Sequence, residues 1–62
     1  MNQNERLALT HEWAARHARK LAAEYLAEGN AAEAAKQIDR AEFLELHAAL
    51  SWAHVTKKQE AA

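Results

Sequence analysis

A chain with one glycine and no proline has one place where its backbone most readily reverses. Here that place is Gly29, in the stretch YLAEGNAAEAAKQI from Tyr25 to Ile38. Glycine enters left-handed backbone conformations without a Cβ clash, so it suits the position just past a helix end. Asn30 fits as the cap of a following helix, its side-chain oxygen accepting from a free backbone N–H of the next turn. Glu33, three residues on, completes the pattern of a capping box. The spacing predicts helix one over about 4–28, a turn at 29–30 and helix two over about 31–57. A connection this short makes the two helices antiparallel neighbours.

Residue usage agrees with that division. Seventeen of the 62 residues are alanine, and Leu, Glu, Lys, Arg and Gln fill most of the remainder, all strong helix formers. The expected fold class is all-α, one helical-hairpin domain over 1–62 with Met1–Gln3 and the terminal KQEAA fraying. The absence of cysteine excludes disulfide scaffolds, thiolate zinc sites and thiol catalysis. No apolar run approaches the roughly 18 residues of a membrane span, and Met1–Thr10 lacks the apolar core of a signal peptide. A cytoplasmic protein with no membrane partner is expected. A formal net charge of −1 gives no overall attraction to nucleic acid or anionic lipid. Two helices alone have one seam to bury, so self-association or a partner is expected.

Counting back from the turn, Tyr25, Leu21, Ala18, Ala14, His11 and Leu7 recur at steps of four and three. Counting forward, Ala34, Ile38, Ala41, Glu45, Ala48, Trp52 and Val55 do the same. Each series is a stripe by which one helix faces another. An antiparallel hairpin then sets Tyr25 near Ala34, Leu21 near Ile38, Ala18 near Ala41, Ala14 near Glu45, His11 near Ala48 and Leu7 near Trp52. Glu45 also falls close enough to His11 for a polar pair that fixes register.

Ala18, Leu21, Ala22, Tyr25, Gly29, Ala34, Ile38 and Ala41 resemble one tetratricopeptide repeat, with Ala18 at the position of the repeat's tryptophan. The resemblance covers about half the chain and implies hairpin packing, since one unit cannot form the binding groove of a repeat array. In size, central turn and the opening pattern of Glu5, Ala8 and Leu9, the chain also resembles the Rop-type plasmid copy-number regulators. That likeness implies a hairpin that dimerises into a four-helix bundle. RNA binding by such a dimer is the weaker implication, because Thr10, Ala14, Ala18 and Tyr25 occupy the region where that family contacts RNA.

Helix two carries a second apolar stripe, Ala35, Phe43, Leu46, Leu50 and Ala53, which a lone hairpin leaves in water. Phe43, Leu46, Leu50 and Ala53 are the candidate dimer interface. On helix one, Leu9 and Trp13 lie off the seam beside Arg16 and Lys20, and these four are the candidate partner-binding residues, for protein ahead of RNA. His11, His17, His47 and His54 lack the spacing that chelates a metal on one helix face, and no nucleophile, phosphate loop or substrate cavity accompanies Glu45. No catalytic residue, cofactor or metal is expected. The expected function is that of a small non-enzymatic protein-binding regulator, an adaptor or inhibitor, of a kind suited to a bacterial or phage genome. An RNA-binding dimer and a structural assembly subunit are the alternatives.

Overall fold

The computed structural model describes residues 2–61, with side chains described for 2–55. Two helices make up the fold, α1 over Gln3–Ala27 and α2 over Ala31–Ala61. They lie side by side as an all-α hairpin with principal extents of 51 × 16 × 11 Å. Asn2 caps α1, its Oδ1 accepting from the backbone N–H of Glu5 at 2.8 Å. Gln3 is therefore helical, and so are residues 58–61. The expected fraying does not extend to them, whereas Met1 and Ala62 lie outside the described residues.

At the turn Gly29 has φ +80°, in the left-handed region. The Asn30 N–H donates to the Tyr25 carbonyl at 2.8 Å and the Gly29 N–H to the Leu26 carbonyl at 3.0 Å. These are the two bonds of a Schellman motif, which satisfy carbonyls that the ending helix leaves free. Asn30 Oδ1 then accepts from the Glu33 N–H at 3.2 Å and starts α2. Half of the expected capping box forms. The Glu33 carboxylate turns instead to Lys36 Nζ at 3.1 Å, where an (i, i+3) charge pair replaces a bond to the cap.

The buried residues are Ala8, Ala15, Ala18 and Ala22 of α1 and Ala34, Ala41, Ala48 and Val55 of α2. Ala8, Ala15 and Ala22 are seven apart, as are Ala34, Ala41, Ala48 and Val55. A methyl side chain every second turn keeps the contact line small on both helices, so the backbones approach closely. The series predicted for α2 contains all four buried positions. The series predicted for α1 is shifted: Ala18 is buried and His11, Ala14, Leu21 and Tyr25 are half-buried, but Ala8, Ala15 and Ala22 form the buried line and Leu7 is exposed. The reason is steric. A leucine between two alanine-spaced backbones would hold them apart, so the helix turns its alanines inward, and Leu7 is left 43% exposed.

Side-chain pairs across the hairpin accompany that rotation. The Trp52 indole Nε1 donates to Glu12 Oε1 at 2.6 Å. Glu45 does not meet His11: it accepts a two-pronged bond from Arg19, Nε to Oε2 at 2.6 Å and Nη2 to Oε1 at 2.8 Å. His11 lies against His47, with ring centroids 5.8 Å apart and planes tilted by 54°.

Two outcomes test this account. A Cβ built on Gly29 meets nothing within 4 Å, so any cost of substitution there is backbone strain alone. Gly29→Val should lower stability by about 1 kcal/mol or more and Gly29→Asn by less, which equal urea midpoints for the two variants would contradict. Ala41 has no exposed surface, so Ala41→Leu should overpack the seam and cost about 1–3 kcal/mol in urea unfolding. A neutral or stabilising Ala41→Leu would show that the seam has room to spare.

Candidate functional site

Because the seam is mostly alanine, many of the large apolar side chains lie outside it. Among the described residues none is fully buried, and Leu7, Leu9, Trp13, Leu26, Phe43, Leu46 and Leu50 are 39% to 64% exposed. Soluble proteins rarely leave so many large apolar groups in water without an interface to receive them. The candidate site is a surface, and the hairpin divides it into two broad faces.

One face is charged. Arg19–Glu45 and Glu12–Trp52 cross it, and Glu12, Ala15, Arg16 and Glu45 line a groove of about 240 Å³. Glu5 lies two turns before Glu12, and Glu42 one turn before Glu45, so the helical repeat adds two more carboxylates to the same side. The hydrogen bonds from Arg19 hold the Glu45 carboxyl below the usual carboxylate range and hold the guanidinium above its ordinary value. The pair is half-exposed on both sides, where screening by water keeps its contribution small.

The opposite face holds a groove poorer in charge, with Arg40 the one Arg, Lys, Asp or Glu that lines it. Trp13, Ala14, His17, Ala18, Leu21, Gln37 and Arg40 line its groove, also about 240 Å³. Trp13 lies parallel to His17 with ring centroids 5.6 Å apart. Farther along, Phe43 packs on His47 at 4.3 Å, and His47 on His11. Gln37 Oε1 is buried in this region without a hydrogen-bond partner in the chain. Helical phase explains the arrangement: Leu7, Ala14 and Leu21 sit one residue before Ala8, Ala15 and Ala22, about 100° around α1 from the seam.

The candidate partner-binding residues Leu9, Trp13, Arg16 and Lys20 are all exposed on α1, and their steps of four, three and four keep them on one outer stripe of that helix. Trp13 borders the charge-poor groove while Arg16 borders the charged one. The cation that shares a groove with Trp13 is Arg40 of α2, a residue the sequence pattern gave no reason to choose. A pairing of α1 and α2 by phase, with the alanine heptads as origin, would have found it. The candidate dimer residues Phe43, Leu46, Leu50 and Ala53 are exposed on the side of α2 turned away from α1. Phe43 leans toward the histidine side through its contact with His47.

No group of three or more His, Asp or Glu able to hold a metal ion occurs among the described residues. No described helix is long and apolar enough to cross a membrane. No family model matches the sequence, and no curated protein or solved structure matches it either.

The Arg19–Glu45 pair makes a pH prediction. A carboxyl whose pKa is depressed in the folded chain adds stability that is present above its unfolded pKa and lost as pH falls through the folded one. NMR titration should find Glu45 below the other exposed glutamates, and Arg19→Gln should return it to the ordinary range. Identical Glu45 titration curves in the two proteins would show that the pair does not persist in solution.

Proposed function

We propose that this chain is a small non-enzymatic protein-binding regulator, an adaptor or inhibitor, that works as a dimer of helical hairpins joined along α2. One observation carries the reading: the hairpin's buried residues are alanines and Val55, while Trp13, Phe43 and the leucines at 7, 9, 26, 46 and 50 stay exposed. Moving one such side chain from water into a packed contact contributes about 1.5–3 kcal/mol. Alanine methyls contribute far less, so a second chain supplies what the lone hairpin lacks. Phe43 and Leu50 anchor the joint in this reading. Leu9 and Trp13, 39% and 64% exposed on the other helix, are left to meet a different protein, with Arg16 and Lys20 beside them. Aromatic side chains of this kind are the usual anchors of protein interfaces.

The test has two arms. Sedimentation equilibrium at micromolar concentration should give twice the chain mass of 7.0 kDa, and Leu50→Glu should lower it because the new carboxylate is desolvated at the joint. Trp13→Ala should leave the thermal midpoint nearly unchanged while weakening partner capture by about thirtyfold. A fully helical monomer at all concentrations removes the dimer. A Trp13→Ala protein that unfolds early makes Trp13 a stability residue and takes the α1 surface out of the reading.

A further inference from the structure

We infer that His11 and His47 form a two-imidazole site, one ligand from each helix, for a divalent late transition ion of the Zn²⁺, Ni²⁺ and Cu²⁺ class. The inference stands apart from the dimeric reading above, since both ligands belong to one chain.

The alanine seam brings the two residues together. His11 lies between Ala8 and Ala15 on α1, and His47 directly precedes Ala48 on α2. These alanines are buried and hold the backbones close. Each histidine stands eighteen residues from Gly29, so the hairpin brings them level. Both are half-buried, and their ring centroids are 5.8 Å apart. Metal–nitrogen bonds of about 2.1 Å, with each nitrogen about 1.2 Å from its ring centre, put two imidazoles on one ion about 5.4 Å apart at a tetrahedral angle and about 6.6 Å apart in line. The observed separation falls within that range, so neither helix has to move.

The ring planes are tilted by 54° rather than stacked. Turning either ring about χ2, a soft torsion in histidine, exchanges carbon for nitrogen at the edge that meets the other ring. Nothing across the hairpin competes for those nitrogens. Among the described residues the side-chain hydrogen bonds that join the helices are Arg19–Glu45 and Trp52–Glu12, and neither imidazole enters one. Phe43, 4.3 Å from His47 between ring centroids, packs against that ring and limits its motion without a polar atom of its own. The other two histidines have no such counterpart. His17 stacks on Trp13 of its own helix, and His54 lies two turns along α2 from His47, about 10.5 Å and too far to share an ion.

The donor set selects the ion. One turn away on the same face of either helix stand only apolar residues and Ser51, so no carboxylate joins the two nitrogens. Imidazole suits Zn²⁺, Ni²⁺ and Cu²⁺, whereas Mg²⁺ and Ca²⁺ require oxygen ligands. Two protein ligands leave the remaining positions to water, in keeping with the lack of any group of three or more ligating side chains among the described residues. An ion held from both sides ties α1 to α2 far from the turn. The second imidazole reaches it at high effective concentration only in the closed hairpin, so the ion favours the folded chain by mass action.

The experiment titrates Zn²⁺ into the full chain by calorimetry and repeats the titration with His11→Gln, His47→Gln, His17→Gln and His54→Gln. The unaltered protein should take up one ion per chain. His11→Gln and His47→Gln should each weaken binding at least about tenfold, because a lone imidazole loses its tethered partner, while His17→Gln and His54→Gln should stay within about twofold. Zn²⁺ should raise the thermal midpoint of the unaltered chain and Mg²⁺ should not. Paramagnetic Ni²⁺ gives a reading that needs no variant: at substoichiometric amounts it should broaden the imidazole resonances of His11 and His47 before those of His17 and His54. Equal weakening in all four variants, or broadening first at His17 or His54, overturns the site in favour of scattered surface binding. One ion per two chains moves the ligands to a joint between copies and overturns chelation within the hairpin. Absence of saturable uptake removes the site altogether.

Discussion

Everything in this molecule follows from a line of alanines that touch. Ala8, Ala15 and Ala22 on one helix and Ala34, Ala41 and Ala48 on the other, closed by Val55, set the backbones close together. A close line of small side chains gives good dispersion contact but removes little apolar area from water. The larger side chains cannot enter it without forcing the helices apart. They stay outside, and their distribution around the hairpin becomes the main chemical fact about its surface.

From that line the two broad faces differ by phase alone. A step of one residue toward the N-terminus of α1 reaches Leu7, Ala14 and Leu21. A step of four toward the C-terminus reaches Glu12 and Arg19, on the side where Arg19 meets Glu45 and Glu12 receives the Trp52 N–H. Glu12 and Glu45 thus line the groove on one side, and His17 lines the groove on the other. Two faces so different invite different contacts, and the charged one is well matched to water.

Apart from the Glu33 carboxylate, which turns to Lys36, the turn was legible in the sequence because its signals are local. A lone glycine at a helix end and an asparagine after it have few other uses, and φ +80° at Gly29 with the Asn30 cap realises both. The α2 seam was legible as well, since Ala34, Ala41 and Ala48 alternate with larger residues in either phase. The α1 seam was half legible. Two series compete there, one containing Leu7 and Leu21 and one containing Ala8, Ala15 and Ala22, and hydrophobicity favours the wrong one. Only the partner helix decides, because alanine opposite alanine allows an approach that leucine forbids. The error passed into the site: with α1 turned by one residue, His11 leaves Glu45 for His47, and Trp13 gains Arg40 as its neighbour. The charge that accompanies an exposed aromatic lies on another helix, where periodicity along one helix does not reach.

The turn at Gly29 also sets the order of events as the chain acquires its shape. The Schellman bonds and the Asn30 cap join residues only a few positions apart, so their loop-closure cost is small, and each pair farther along the hairpin closes against a loop already nearly shut. With no proline in the sequence, no slow X–Pro isomerisation interrupts that zipping. Helix and hairpin formation belong to the microsecond range for such local topologies. Closure of the hairpin is a step within one chain, so its rate does not depend on how many chains are present.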